Sequence, residues 1–330
     1  MRKTARTIFV LCLMILLAGC GAVTPIANSE SEFGTLSAAT EEKAVAPEKV
    51  VIYAPASTSS VPVILAAAKM QNVELVLYTN QAQANTVFLR GDAQILVTGL
   101  SVGLDLHKNQ APITLVNTYV TGLSYLVTSG ITVTTWADLI GQQVYVPFEG
   151  SPIEEVAAYL VRQEGLAWKK DIAPVYSPFD ASIALLKEGK AAAVILPEPM
   201  VSLLEGQPGI SVSLDLYDEW NRNNPAAQGY PQVGSFANSQ WAADHRDIVD
   251  QFSIYLSGSI EQVQGDPESA VDAVIEHFKI PAPIMVSALV RTRYQLLTGE
   301  AMKNGVQMYY QVIGKELDET TEGFFYSAAN

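Results

Sequence analysis

Cysteine is nearly absent from this sequence of 330 residues, which has only Cys12 and Cys20. Beyond position 20 there is no thiol for a disulfide framework, a cysteine-rich zinc site or a cysteine nucleophile. Histidine is almost as scarce: His107, His245 and His277 share no short motif, so the clustered ligands of a metal site are missing. No Gly-x-Ser-x-Gly elbow offers a serine nucleophile, although a triad assembled from distant positions stays open. No catalytic residue, metal ligand or cofactor site is assigned. Positive charge is also short, with 20 Lys and Arg against 34 Asp and Glu and a net charge of -14. Such a surface does not bind nucleic acid or anionic lipid, because nothing compensates the phosphate charge.

What is present starts at residue 2. Arg2, Lys3 and Arg6 precede an apolar run from Ile8 to Leu17, too short for a stable membrane span, and Leu17-Ala18-Gly19-Cys20 follows it. The stretch resembles the lipobox of bacterial lipoprotein signals, which implies removal of residues 1–19 and lipidation of Cys20. The expected location is the extracytoplasmic face of the cell membrane, with the lipid anchor as the only membrane contact. Loss of Arg2, Lys3 and Arg6 takes the basic count from 20 to 17 and leaves all 34 acidic residues. Residues 20–48, rich in Ala, Ser, Thr and Glu without an apolar period, read as a flexible, lipid-anchored linker. The remaining length and a 49% apolar composition suffice for a core held together without disulfides.

From Lys49 onward, short β-branched runs alternate with helical patterns. Residues 50–53, 73–78 and 93–97 read as strands, separated by helices around 63–68 and 82–89, the rhythm of parallel βαβ units. Residues 113–127 hold two extended runs broken at Gly122. A strand at 143–146 leads through a polar loop into a helix at 153–163, and the rhythm repeats with a strand at 172–176, a helix at 181–188 and a strand at 192–196. Past Gln232 the pattern is almost wholly helical, with amphipathic stretches at 246–263, 269–278, 284–297 and 301–313. The fold class is α/β, with two lobes joined by two crossing strands near 116–127 and 233–238 and a helical C-terminal tail. Lobe 1 is expected over 49–127 with a return over 233–330, and lobe 2 over 128–232.

Four stretches support a family resemblance: Tyr53-Ala54-Pro55-Ala56-Ser57-Thr58; Gly91-Asp92-Ala93-Gln94-Ile95-Leu96-Val97-Thr98-Gly99; Val146-Pro147-Phe148-Glu149-Gly150-Ser151-Pro152; and Gly189-Lys190-Ala191-Ala192-Ala193-Val194-Ile195-Leu196-Pro197-Glu198-Pro199. In this order and spacing, with the lipobox ahead of them, the chain resembles the type II periplasmic solute-binding proteins of ABC importers. Within these it is similar to the group named after the thiamine-pyrimidine synthesis proteins, over about residues 49–315. The resemblance implies a two-lobed type II periplasmic-binding-protein fold, a cleft that closes on one small ligand, and delivery to an ABC-type permease without chemistry. Relatives that build the thiamine pyrimidine use a cysteine-rich motif and a histidine, and the thiols are missing here.

Sheets of this class present ligands at strand C-termini and adjacent helix N-termini, which selects loops 53–60, 98–102, 148–151 and 197–200. The candidate ligand-binding residues are Ser57, Thr58, Thr98 and Ser151 as hydroxyl partners, Glu149 and Glu198 as acceptors, and Tyr53, Tyr119, Phe148 and Tyr230 as rings at strand ends or crossings. Each has a structural alternative: helix N-cap for the hydroxyls, a charge at a helix N-terminus for the carboxylates, core packing for the rings. None of the four loops contains Lys or Arg. A carboxylate ~4 Å from an anionic ligand opposes it by about 4 kcal/mol at an effective dielectric near 20. The expected ligand is therefore a neutral heteroaromatic nutrient rich in N–H or O–H donors: riboflavin first, a thiamine pyrimidine precursor next, a sulfonate less favoured. A secreted hydrolase and a sensory or structural lipoprotein are the readings from other classes.

Overall fold

The structure, a computed structural model, describes residues 49–327. The signal, Cys20 and the linker to residue 48 lie outside the described residues. The chain begins with β1 (Val50–Pro55), α1 (Val61–Ala67), β2 (Val73–Tyr78), α2 (Gln81–Leu89), β3 (Ile95–Gly99), α3 (Leu100–Lys108) and β4 (Ile113–Gly122). Leu123 alone separates β4 from β5 (Ser124–Ser129), after which come β6 (Gln143–Val146), α4 (Pro152–Gln163), β7 (Ala173–Tyr176) and α5 (Phe179–Lys187). Then follow β8 (Ala193–Pro197), α6 (Met200–Leu204), β9 (Ile210–Asp215), α7 (Leu216–Asn223) and β10 (Val233–Asn238). The chain closes with α8 (Ser239–Asp244), α9 (Arg246–Gly265), α10 (Pro267–Asp272), α11 (Ala282–Arg291), β11 (Arg293–Leu297) and α12 (Gly299–Ile313).

Two sheets result. The first has the order β11-β4-β10-β3-β1-β2 and the second β7-β6-β8-β5-β9. β1 is parallel to β2 and β3, and β6 is parallel to β7 and β8, because a helical crossover returns the chain to the same end of the sheet each time. β10 runs antiparallel to β3 and β4, and β5 antiparallel to β8 and β9. One face of the first sheet packs on α1, α9 and α11 through Val63, Phe252, Leu256, Met285 and Leu289. A second core, with Phe88, Leu104, Leu160, Trp220, Phe236 and Tyr309, continues from the first sheet into the second.

Three details depart from the sequence reading. The chain changes sheet at Leu123, ahead of the boundary expected at 127/128, because β5 already hydrogen-bonds with β8 and β9. The second crossing lies at 224–232, and the run at 233–238 sits wholly in the first sheet between β3 and β4. The expected helix at 284–297 ends at Arg291, and β11 pairs antiparallel with β4. Over so short a run, alternation and helical spacing select the same apolar positions, so sequence could not separate them.

Both crossings are tied together where they meet. Gln232 Nε2 donates to Ser124 Oγ at 2.7 Å, Leu123 N donates to Gln232 Oε1 at 3.3 Å, and Tyr230 N donates to the Thr121 carbonyl at 3.1 Å. A further contact joins α12 to α4, where buried Glu155 accepts from Lys315 Nζ at 2.7 Å and from Tyr309 Oη at 3.1 Å. Burial raises the Glu155 pKa above the usual carboxylate range, and Lys315 pulls it part of the way back. In Lys315→Met that restraint is gone. An acid with a raised folded-state pKa weakens the fold where it is ionised, so the variant should lose about 1–2 kcal/mol at about pH 8 and recover as the pH falls toward about 5 and Glu155 takes up a proton. Thermal melts at the two pH values check this; equal losses at both would mean that Lys315 acts through packing alone.

Candidate binding cleft

The C-terminal ends of six strands face one another across the gap between the two sheets, enclosing a cavity of about 330 Å³. From the first sheet come Pro55 to Ser57 after β1, Tyr78 and Gln81 after β2, and Thr98 and Gly99 at the end of β3. From the second come Phe148 and Ser151 after β6, Phe179 and Asp180 after β7, and Pro197 to Met200 after β8. Leu123 and Gln232, the two tied crossing residues, form its floor. Among the contacts between the lobes, Ser101 Oγ at the start of α3 donates to the Gly150 carbonyl at 2.9 Å, and a Cβ built on Gly99 would stand 2.7 Å from Pro152 Cγ.

Comparison with solved structures finds a similar fold in periplasmic and import-system binding proteins. The periplasmic aliphatic sulphonate binding protein SsuA from Escherichia coli is similar with a TM-score of 0.68 at 17% identity, over 86% of this chain and 94% of that one. A ligand-binding component of an ABC-type import system from Staphylococcus aureus, with zinc bound, gives 0.70 at 13% identity over 84% and 97%. The alkanesulfonate-binding protein SsuA from Xanthomonas axonopodis pv. citri, bound to MOPS, gives 0.66 at 16% identity over 83% and 96%. The chain has the periplasmic-binding-protein fold. No family model matches its sequence, and no curated protein matches it significantly.

Within this fold the predicted site residues divide. Ser57, Thr98, Phe148, Ser151 and Glu198 lie along the cleft. Ser57 Oγ is 2.7 Å from Ser59 Oγ, and Thr98 Oγ1 donates to Gln81 Oε1 at 3.0 Å. Ser151 also N-caps α4, accepting from Glu154 N at 3.2 Å, so its hydroxyl serves the helix as it borders the cleft. Phe148 is among the more exposed apolar side chains.

The others stand elsewhere, each for a physical reason. Thr58 is buried behind the β1 loop, where its Oγ1 accepts from Thr292 at 2.8 Å and its carbonyl from Tyr294 Oη at 2.7 Å. Tyr119 is likewise buried and donates to the Ser59 carbonyl at 2.9 Å, so it props the loop from below without reaching the cavity. Tyr53 packs against the core of its own sheet. Tyr230 is enclosed in an aromatic cluster with Trp220 at 5.4 Å and Tyr309 at 6.4 Å. Glu149 turns out to solvent and pairs with Lys169 Nζ at 2.5 Å. Glu198 is among the residues that line the cleft, but it is fully buried, and its Oε2 accepts from Ser202 N at 3.1 Å, capping α6. Both glutamate carboxylates are therefore engaged by protein partners, Lys169 and the Ser202 amide. Burial raises the Glu198 pKa, and the Ser202 amide and Arg291 oppose that rise.

Residues that the sequence reading missed complete the lining. Tyr78 donates toward both Gln81 Oε1 at 3.0 Å and the Val97 carbonyl at 2.9 Å, and burial pushes its phenol up to about 12, so it remains a neutral donor at any physiological pH. Phe179 and Asp180 follow β7 just as Phe148 follows β6; the strand-end rule that chose four loops applied equally to these two. Asp180 is exposed at the mouth and is the one lining carboxylate open to solvent. Among the described residues, no Lys, Arg or His lines the cavity. Besides Asp180 and the buried Glu198, its polar side chains are hydroxyls and the amides of Gln81 and Gln232, set among Phe148, Phe179, Leu123, Val102, Ile153 and Met200.

Proposed function

We propose that this chain is the extracytoplasmic, lipid-anchored substrate-binding component of an ABC importer, that it passes one small nutrient to a membrane permease, and that it does no chemistry. The lobes would be 49–123 with 233–330, and 124–232, hinged at Leu123 and Gln232. Its ligand is a neutral, planar, donor-bearing heterocycle, with riboflavin the first choice and a thiamine pyrimidine precursor the second. One observation supports this above the others: a cavity of about 330 Å³ with aromatic and aliphatic walls, hydroxyl and amide partners and no cation. An aromatic ligand stacked on Phe148 or Phe179 gains about 0.5–1.5 kcal/mol per ring beyond burial.

A sulfonate is the second reading. The N-termini of α2, α3, α4 and α5 all border the cavity, and helix termini attract anions. Three of the similar solved structures are sulfonate-binding proteins. Each terminus contributes about 0.3–1 kcal/mol, Asp180 at the mouth opposes an anion, and no guanidinium or ammonium in the lining adds to the attraction. The neutral ligand is favoured on that balance. Flavin fluorescence decides it: riboflavin should be quenched on titration, taurine and alkanesulfonates should give no heat by calorimetry, and Phe148→Ala should weaken riboflavin about two- to tenfold. Tight sulfonate binding with no flavin response would replace this reading by the second.

A further inference from the structure

We propose that Arg291 is a latch between the lobes, supplying the counter-charge that allows the buried carboxylate of Glu198 to exist when the cleft is shut. The proposal goes beyond ligand identity to the control of closure, and rests on the reading of the cleft as hinged.

Arg291 ends α11, which belongs to the first lobe: Met285 and Leu289 of that helix sit in the core of the first sheet. Its side chain reaches the second lobe. The guanidinium donates through Nη2 to Glu205 at the end of α6, and Nη1 stands 3.7 Å from Glu198 Oε1. The Arg291 carbonyl accepts from Tyr125 Oη of β5 at 2.8 Å, so a second, neutral bond from the second lobe holds the same residue. Val201 and Leu204 anchor α6 in the core of the second sheet, which fixes Glu198 and Glu205 to that lobe.

Two atoms at this junction are buried without a hydrogen bond, Glu198 Oε1 and Arg291 Nη1, and they face each other. A carboxylate taken out of water without a partner is costly, and a guanidinium within 4 Å offsets much of the cost. When the lobes part, Arg291 leaves with α11, and water can reach both groups. The unfavourable arrangement is a shut cleft that buries Glu198 with the Ser202 amide on Oε2 and no counter-charge for Oε1. Arg291 is thus a positioning residue acting on the equilibrium between open and shut forms. It needs no contact with ligand, although Pro197 and Pro199 on either side of Glu198 line the cavity. The charged or titratable groups around Glu198 are Arg291 from α11, Glu205 from α6 and Tyr125 from β5.

The test is a distance measurement without ligand. With Cys12 and Cys20 changed to serine, the full chain has no thiol, so Thr86→Cys on α2 and Lys187→Cys on α5, both exposed, place two spin labels on opposite lobes. Arg291→Met should move the open-to-shut ratio toward open by about tenfold, and adding Glu198→Gln should bring it back, because an amide needs no counter-charge. Glu205→Gln, on the solvent side of the clamp, should shift the ratio the same way by about threefold. Unchanged distances in Arg291→Met, or a double variant as open as the single one, would overturn the latch. If Arg291→Met does not fold by circular dichroism, Glu205→Gln decides, and unchanged distances in that variant reject the proposal. A riboflavin titration that fails leaves these distances readable, so the ligand reading and the latch fall separately.

Discussion

Gly99→Val should hold the two lobes apart. Gly99 N-caps α3 with φ -63° and ψ 143°, a conformation open to any L-residue, so the substitution imposes no backbone strain. Its cost is across the cleft. A Cβ at this position would stand 2.7 Å from Cγ and 3.4 Å from Cδ of Pro152, the first residue of α4 in the other lobe, and a change of ring pucker, the one adjustment open to proline, leaves the added valine methyls against the ring. The nearest relief is to open the hinge, which also breaks the bond from Ser101 Oγ to the Gly150 carbonyl. Overpacking of this kind costs about 1–3 kcal/mol, so affinity for the transported nutrient should fall roughly tenfold to hundredfold while the melting temperature barely moves. Labels at Thr86 and Lys187 should report a longer separation. A variant that binds riboflavin or extracted ligand as the parent does, at unchanged separation, would show that this contact does not limit closure.

The contrast between Gly99 and Glu149 shows how far the sequence could lead. Strand periodicity and the strand-end rule placed Ser57, Thr98, Phe148 and Ser151 along the cleft, because parallel βαβ units must deliver their C-terminal loops to one edge. The rule locates a loop but does not aim the side chains within it. Glu149 follows Phe148 directly, yet it turns outward to Lys169, a partner that only the fold brings near. Glu198 had two roles open to it, and its carboxylate took the helix cap, since an α6 amide in reach of a buried acid leaves little else for that acid to do. Tyr119 misled for another reason: every residue of β4 is buried, so alternation along that strand does not reveal which face meets the cleft and which meets the core. Tyr78 and Gln81, at and just after the end of β2, follow from the same strand-end rule that selects Thr98 at the end of β3.

Gly103→Ala should destabilise the first lobe although it adds a single methyl group. In an exposed helix the change from glycine to alanine gains about 1 kcal/mol. Here Gly103 is buried in the middle of α3, and an added Cβ would stand 2.1 Å from Cε1 and 2.2 Å from Cζ of Phe236 on β10. Phe236 is fully buried, with the Phe324 ring beside it at 6.1 Å. Such an overlap can be relieved only by lifting α3 from the sheet, so the packing loss, about 3 kcal/mol, exceeds the propensity gain. The net effect of about 2 kcal/mol should lower the melting temperature by roughly 4–8 °C. Because α3 also begins at the cleft with Gly99 and Ser101, affinity should fall with stability, unlike in Gly99→Val. Phe236→Leu removes the ring atoms in question, so Gly103→Ala combined with Phe236→Leu should be more stable than the two separate losses predict. Strict additivity in that cycle would mean that the helix and the strand are not in the contact argued for them, and the register of α3 on the first sheet would have to be redrawn.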